Sequence, residues 1–584
     1  MSKRIKNILI AGLIFLGLIL DYFFEFKVAL LVVVAIGSIM PLANGILPLL
    51  KPKITIDTFN AFALVVTLAI SDFRSSAFII LMLTFAYILE DYISEKQKKA
   101  IDELMKLKPT TAFLAVGNEI KEIKAKDIKT GDILVVKEGS QIPTDGTIIF
   151  GEAQINESLI TGESLPVKKS LREEVFGATT NIAGTIKIKA TRVGKDSTIE
   201  KIAQLIKEAS KHKSHSERIA DKFAKFFLPF VLIVGLITYF TTHNILYVAS
   251  LFLIACADDM AVAIPLAITA SLGKAAKKGM IIKGGEWLDV LSKIKTIVID
   301  KTGTLTYGNL NVSKVEIADG VDKKDFWEYV AVAEKLSAHP VGKAIYKEAL
   351  KFINSAPDPD SFEVLKGVGI YAVYKNDKIF VGRKETEQTN SVVVNEKTIG
   401  HILVRDIPRQ EAKESIAKLK NIGIQDIIMF TGDARDIAKE IGAELGIENI
   451  KSEMKPEDKL VELEKIIAKD KNHKIAMIGD GINDTPALTR ADIGIAMGGA
   501  GTQVVMETAD AIIFTDKLSL LPEMILLGRK TMSVIHGDMI FWFLTNVVGF
   551  ALVFMGFINP AIAAFYNFAT DFIPLINSSR LFKK

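Results

Sequence analysis

The chain carries a single cysteine, Cys256, in 584 residues, and only 7 histidines. One thiol excludes a disulfide framework and the Cys/His clusters of structural zinc domains. The 72 Lys and Arg stand against 68 Asp and Glu, for a net charge of only +4. No basic tract is dense enough for a nucleic-acid surface, so no nucleic acid is expected as a partner. Internal repeats and low-complexity segments are missing too. Met1–Leu20 lacks a small-residue cleavage signature and runs on into further apolar spans, so no cleaved signal peptide is expected. What is plentiful is apolar surface, at 49% of residues, with a mean hydropathy of +0.31, although 24% of residues are charged. A length worth about four domains and that mixture require greasy spans and charged globular units to be segregated along the chain. A purely soluble enzyme and a bare membrane channel are both excluded.

A bilayer core takes about 20 mostly apolar residues per helix, which predicts eight spans, near 5–24, 28–50, 57–73, 75–93, 223–242, 245–272, 535–557 and 560–578. An even count puts both termini and both intervening polar blocks on one side. Lys3, Arg4 and Lys6 before the first span, and Lys274, Lys277, Lys278 and Lys283 after the sixth, mark that side as the cytoplasm. Lys27 and Arg74 in the short outer loops weaken the contrast. The expected setting is therefore the cell membrane, with a multi-pass chain in a lipid bilayer. Asp21, Glu25 and Asp72 read as solvated carboxylates at span ends.

The first polar block is a series of short apolar alternations broken by Gly-Asp, Gly-Ser and Pro-Thr-Asp-Gly turns, which predicts a small all-β unit with its core at about 108–205. The second alternates strands and helices. The runs 296–299, 427–430 and 475–478 each end in an Asp- or Gly-rich turn before a helical stretch, as in a doubly wound parallel α/β sheet, whose ligands collect at the carboxyl ends of the strands. Between 310 and 400 the pattern changes, which predicts an inserted α+β domain. The resulting division is 1–95 for the first four spans, 96–220 for the β unit and its linkers, and 221–273 for spans five and six. The α/β domain takes 274–309 and 401–533, around the insert, and 534–584 holds the last two spans. His212 and His215, in a basic linker, read as a solvated face.

At the end of the strand 296–299 comes Asp300-Lys301-Thr302-Gly303-Thr304-Leu305-Thr306. A carboxylate at a strand terminus is an available nucleophile, and the small turn residues behind it offer backbone N–H groups to a phosphate. This heptad resembles the phosphorylation motif of the P-type ATPases, and the resemblance extends over nearly the whole chain in the same order. Thr161-Gly162-Glu163-Ser164 is similar to the family's actuator loop. Thr431-Gly432-Asp433, Lys455-Pro456-Glu457-Asp458-Lys459 and Gly479-Asp480-Gly481-Ile482-Asn483-Asp484 resemble its phosphorylation-domain motifs. The four, two and two layout of spans, with Ser337-Ala338-His339-Pro340 in the insert, resembles the heavy-metal, CPx-type branch.

The resemblance implies an eight-helix bundle, an all-β actuator domain, a phosphorylation domain of the haloacid dehalogenase type and an inserted nucleotide-binding domain. It also implies ATP and Mg2+ as cofactors. Asp300 would attack the γ-phosphate of ATP beside Lys301, while Lys459 and the backbone of Thr431 and Gly432, next to Asp433, neutralise charge on the transferring group. Magnesium wants oxygen ligands, which Asp480, the Asp300 carboxylate and the Thr302 carbonyl would supply, with Asn483 and Asp484 ordering the site. Related phosphatases place a general-acid Asp two residues after the nucleophile. Here that position is Thr302, so the acyl phosphate would persist until Glu163 swings in and positions water. Glu334 and His339 would face the adenine, with Gly367 and Gly369 allowing close backbone approach. Gly382 is followed by Arg383 where the branch has Gly-Asn.

Span six reads Cys256-Ala257-Asp258-Asp259 where the branch has Cys-Pro-Cys. Each mid-span carboxylate costs about 2.5–3.5 kcal/mol on insertion scales, so two in succession read as functional. On an unbroken helix Cys256 and Asp259 share a face at i,i+3, whereas Asp258 points elsewhere. Loss of the helix-unwinding proline favours the Cys256 and Asp259 pair. Asn546 stands where the family has Tyr-Asn. Asn567 falls, counting back from Asn577-Ser578-Ser579-Arg580-Leu581, where copper pumps carry methionine and zinc pumps aspartate. Asp571 is one turn further on. One thiol among carboxylates and amides is too hard a set for Cu(I) and suits Zn, Co, Fe or Mn. The reading is an ATP-driven exporter of such a cation. A pump for Mg2+, Ca2+ or protons, a non-transporting phosphoryl-transfer regulator, and an energising subunit of a larger complex are the alternatives. A separate metal carrier or a membrane partner is left open.

Overall fold

The computed structural model describes residues 3–582, except 25–26, 51–54, 106–108, 118, 158–165, 199, 202–203, 205–214, 256–257, 366–367, 384–388, 471–472, 481–483, 499–506 and 516. Its centre is a seven-stranded sheet. In spatial order the strands are Met280–Ile282, Ala511–Ile513, Ile493–Met497, Lys474–Gly479, Ile294–Asp300, Asp426–Phe430 and Asn449–Lys451. All neighbours run parallel except the edge pair Met280–Ile282 with Ala511–Ile513. The inner strands are near-continuous Ile, Val, Met and Ala runs because helices cover both faces. The chain leaves Ile294–Asp300 toward Asp426–Phe430 on one side and returns to Lys474–Gly479 on the other. Asp300, Thr431 and Asp480 therefore meet at the carboxyl edge, where such a sheet opens a crevice.

The insert is a six-stranded antiparallel sheet that begins with Thr306–Ile317 and closes with Lys397–Pro408. These two strands pair with each other, so the insert joins the central sheet through a two-stranded ribbon. The sheet thus takes in residues on both sides of the expected 310–400. Helices Lys323–Glu334 and Pro340–Ala349 lie against it, burying Phe326, Trp327, Val330 and Ile345. The N-terminal polar block forms a six-stranded sheet with a smaller three-stranded one between Thr111 and Arg192, around Leu134, Ile142, Ile155 and Ile188.

Three helices among the described residues are long and apolar enough to cross a membrane: Ile5–Phe24, Lys27–Ile46 and Leu520–Phe554. Asp57–Ala69, Phe73–Leu89, Phe226–Thr242 and Ile245–Ile254 are shorter apolar stretches, and Pro560–Ser579 follows at the C-terminal end. Close packing uses small residues, as lipid-facing bundles do. A Cβ on Gly45 would lie 2.3 Å from the Asp57 carbonyl oxygen and 2.4 Å from the Ala61 Cβ.

Two expectations about these helices need correction. Span six is not one helix over 245–272. Ile245–Ile254 ends with Ala255 as its C-cap, and a new helix, Asp258–Lys277, begins three residues later. Without a proline, the acid pair itself supplies a reason, because carboxylates are favoured in the first turn of a helix and not in its middle. Cys256, and with it the expected i,i+3 pairing with Asp259, lies outside the described residues. Asp21, expected to be solvated, is only 2% exposed and accepts a hydrogen bond from Arg74 Nε at 2.6 Å, tying the first helix to Phe73–Met105. Asp72 accepts from the Ser75 backbone N–H at 3.1 Å, and Glu25 lies outside the described residues.

Candidate functional site

Asp300 is the last residue of its strand, and one oxygen of its carboxylate caps the following turn, accepting from Thr302 N–H at 3.0 Å. The turn then needs Gly303, whose φ is +75°. A Cβ there would also press to 3.1 Å from the Asp480 Cβ, so the glycine lets the Asp480 carboxylate stand against the loop. The other Asp300 oxygen accepts from Lys459 Nζ at 2.6 Å, and the same ammonium donates to Asp484 at 2.7 Å. Lys301 Nζ donates to Asp433 at 2.6 Å, and Thr431 Oγ1 accepts from the Asp433 N–H at 3.1 Å. Four stretches of chain more than 100 residues apart at the extremes are thus drawn to one point. The structure brings together Asp300, Lys301, Thr302, Thr431, Gly432, Asp433, Lys459, Asp480 and Asp484.

The charges in this cluster do not balance. Asp300, Asp484 and Lys459 are buried, and burial, then the neighbouring Asp484 and Asp480, push Asp300 up to about 7 against the pull of Lys459. Burial works to lower Lys459, but its two carboxylate partners outweigh it and hold the ammonium high. One Asp484 oxygen is buried without a hydrogen-bond partner, packed where a Cβ on Gly479 would come within 2.5 Å. Surplus negative charge on oxygen donors alone fits a small, hard divalent cation such as Mg2+. Among the described residues no three His, Cys, Asp or Glu side chains form a ready-made cage, and Mg2+ characteristically completes its shell with water and phosphate oxygens.

Sequence reasoning missed the residues that hold this loop from behind. Arg409, 2% exposed, donates through Nε to the Thr304 carbonyl at 2.7 Å and through Nη2 to that of Gly303 at 2.9 Å. Thr306 Oγ1 lies 2.9 Å from the Lys301 carbonyl and 2.5 Å from Asp406. The signal was an Asp and an Arg flanking Pro408, where the insert's return strand re-enters the central domain.

In the insert, Glu334 is buried at the end of its helix, and burial raises its carboxyl to about 7, with the Ser337 hydroxyl pulling the other way. Its Oε2 has no hydrogen-bond partner. Gly342 makes the room, since a Cβ there would fall 2.2 Å from both Glu334 Oε2 and Ser337 Oγ. His339 is exposed and caps the next helix, its Nδ1 accepting from the Val341 N–H at 3.2 Å. In the neutral ring that leaves the proton on Nε2, which is free to donate outward. Gly369 and Gly382 are ladder partners on adjacent strands, and a Cβ on Gly382 would meet the Val368 carbonyl oxygen at 2.3 Å. The helix bearing Glu334 packs on the Gly369–Tyr374 strand.

In the membrane portion, Asn546 is 7% exposed, and its amide donates to the Trp542 carbonyl at 3.0 Å while its Oδ1 is buried without a partner. One turn on, a Cβ on Gly549 would come within 2.6 Å of Ile254 and 3.0 Å of Tyr566. That close approach sets Asn546's helix beside the end of Ile245–Ile254, where the span breaks. Tyr566 donates to the Thr545 carbonyl at 2.8 Å. Asn567 donates to Asp571 at 3.3 Å, so these two predicted residues are partners. Glu163, Cys256, Gly367 and Asn483 lie outside the described residues, and of Asp258 and Asp259 only the backbone is described.

Comparison with known proteins points to one family. A model of the P-type ATPase actuator domain matches residues 106–207, and one of haloacid dehalogenase-like hydrolases matches 294–492. The chain is 32% identical to a cadmium-transporting ATPase of Staphylococcus aureus, over 94% of this chain and 80% of that one. It is 33% identical to a cadmium, zinc and cobalt-transporting ATPase of Bacillus subtilis, over 84% and 73%. A crystal structure of a zinc-transporting PIB-type ATPase in the E2.Pi state superposes with a TM-score of 0.63 at 28% identity, over 99% of both chains.

Proposed function

The chain belongs to the heavy-metal branch of the P-type ATPases, and from that membership we propose that it exports a divalent transition-metal ion from the cytosol, driven by ATP through an acyl phosphate on Asp300. The observation that carries the reading is the nucleophile cluster: a strand-terminal carboxylate held by Lys459, with the loop behind it turned at Gly303 and Asp480 against that loop. The relatives' names, cadmium, zinc and cobalt, fall within the class of ion that a mixed thiolate, carboxylate and amide set suits.

In the forward reaction an Asp300 oxygen attacks the γ-phosphorus, the bond to the β-phosphate oxygen breaks, and ADP leaves. Lys459 stays beside the new acyl phosphate and offsets charge on its oxygens, while Lys301 is kept in place by Asp433. Asp480, Asp300 and the Thr302 carbonyl would hold Mg2+, whose chemistry is to neutralise charge on the transferring group. Thr302 cannot donate a proton as a carboxylic acid would, so the acyl phosphate waits for Glu163 to position water. Adenine is held in the insert, by the unsatisfied Glu334 oxygen and the outward Nε2 of His339. We assign residues 96–220 to the actuator, 274–309 with 401–533 to phosphorylation, and the insert to nucleotide binding. The membrane part has eight spans, and both termini are cytoplasmic.

The cargo is bound at the break after Ile254. Cys256 follows that break in sequence, Asp258 and Asp259 open the helix Asp258–Lys277, and the unpartnered Asn546 oxygen comes from the helix packed against the end of Ile245–Ile254. Asn567 and Asp571 complete the site from the last helix. The experiment is ATP turnover of detergent-purified chain with Zn2+, Co2+, Cd2+, Mn2+, Cu(I), Ca2+ or no added ion, in wild type, Cys256→Ala and Asp259→Asn. Activation by a borderline divalent ion that both variants lose is the expected result. Turnover indifferent to every ion and to both substitutions overturns the transport reading.

A further inference from the structure

We infer that Arg409, at the point where the insert's return strand re-enters the central domain, is a positioning residue for the phosphoryl-accepting loop. Through it the geometry at Asp300 is tied to the base of the nucleotide-binding insert. The inference rests on the aspartyl-phosphate reading above. Arg409 makes three contacts with one short segment: its guanidinium donates to the Gly303 and Thr304 carbonyls, and its backbone N–H donates to the Leu305 carbonyl at 2.9 Å. The guanidinium also lies 5.0 Å from the centre of the Tyr307 ring. A peptide unit is planar, so fixing the carbonyls of 303 and 304 fixes the amide planes that follow them. Gly303 sits in the left-handed region, where the backbone has no side chain to restrict it. The loop behind the nucleophile therefore takes part of its rigidity from outside itself, and the rigid fork of an arginine is the side chain suited to two carbonyls at once.

The same ribbon carries the second tie. Thr306 pairs with Pro408 at the foot of the insert's sheet, and its hydroxyl sits between the Lys301 carbonyl and Asp406. Residues on the outgoing strand hold the loop from one side, and residues on the return strand hold it from the other. Any tilt of the insert about this ribbon acts on Gly303, Thr304 and Thr306, within a few residues of Asp300. Arg409 donates to the Gly303, Thr304 and Leu305 carbonyls, and through these bonds its effect on the chemistry passes along the loop to Asp300.

The test compares two routes to the phosphoenzyme in the full-length chain. Labelled ATP requires the insert, whereas labelled inorganic phosphate, added with Mg2+ and no nucleotide, reaches Asp300 without it. Arg409→Gln should lower the rate of both by about tenfold or more, the size expected when a small misplacement reaches the reacting centre. Arg409→Lys should restore only a part, while binding of a fluorescent ATP analogue to the insert stays at the wild-type level. A loss confined to the ATP route, or no loss on either, overturns the inference. Should Arg409→Gln also lose nucleotide binding, and so be misfolded, Thr306→Val decides. It removes one hydroxyl and must slow both routes together; wild-type behaviour there overturns the inference equally. Wild-type chain that accepts label from neither donor would instead overturn the aspartyl-phosphate reading.

Discussion

Lys459 offers the sharpest test of the phosphorylation site, because a single ammonium separates two buried carboxylates. It stands 2.6 Å from Asp300 and 2.7 Å from Asp484, and Lys459→Gln removes it without removing bulk. Breaking a buried ion pair from one side costs about 3–5 kcal/mol. The pair can relieve most of that by taking up a proton. At about 1.36 kcal/mol for each pKa unit, relief on that scale raises the carboxyl pKa by about 2 to 4. Burial and the neighbouring Asp484 already hold Asp300 at about 7 with the lysine present, so in the variant it should titrate at about 9 or above. Only the carboxylate can attack phosphorus. At pH 7 the competent fraction then falls from roughly one half to one hundredth or less.

The assay is the rate of phosphoenzyme formation from labelled ATP in rapid-quench experiments between pH 6 and about 9.5, with saturating Mg2+ in both arms. The wild-type rate should level off at neutral to mildly alkaline pH. The Lys459→Gln rate should continue to climb, roughly tenfold for each pH unit, and approach wild type at the alkaline end apart from the charge lost on the phosphoryl group. Lys459→Arg, which keeps the cation, should keep the wild-type profile at reduced rate. A glutamine variant that is slow by the same factor at every pH would refute the reasoning. Lys459 would then act on the transferring phosphate alone and have no part in keeping Asp300 ionised.

Two further outcomes follow from the same structure. Asp480→Asn removes a charge that helps raise Asp300 and the side chain proposed above to hold Mg2+. The pH midpoint for phosphorylation should fall, while the Mg2+ concentration for half-maximal turnover rises at least the roughly 10–100-fold that outer partners of a metal site are worth. Unchanged Mg2+ dependence would remove Asp480 from the site. Glu334 has its carboxyl raised to about 7 by burial, so below that pH the proton occupies the oxygen that would accept from adenine. ATP affinity measured by equilibrium binding should therefore weaken as pH falls from 8 to 6, by as much as about tenfold per unit below the midpoint, and Glu334→Gln should flatten the dependence. The same slope in the variant would place the titrating group elsewhere.

The central sheet and the place of Asp300 at a strand end were legible in the residues because both follow from local rules. Buried parallel strands read as apolar runs, and the carboxylate that ends one of them is at the crevice by construction. The partners of that carboxylate were legible only through motif resemblance. Nothing local to Lys459 says that its ammonium reaches Asp300 across 159 residues. Arg409 and Asp406 were illegible for a different reason. Their role depends on the insert leaving and returning through one paired ribbon, and a contact between Thr306 and residues 100 positions later exists only once that ribbon has formed. The buried Asp21 was misjudged because its compensating charge, Arg74, lies on another helix 53 residues away.

The broken sixth span shows how the same physics can be applied at the wrong level. With the proline gone, the span was taken as one continuous helix over 245–272, but Ala255 caps Ile245–Ile254 and the helix is interrupted there. Two adjacent carboxylates in mid-helix carry a desolvation cost that neither propensity nor packing offsets. A helix that ends at Ile254 and restarts at Asp258 moves those charges to a helix start, where exposed N–H groups and the dipole favour them. Non-helical backbone in a membrane is tolerated only beside protein or a cavity. Gly549 brings the neighbouring helix close enough to supply that protein wall, and with it comes the Asn546 oxygen that has no partner.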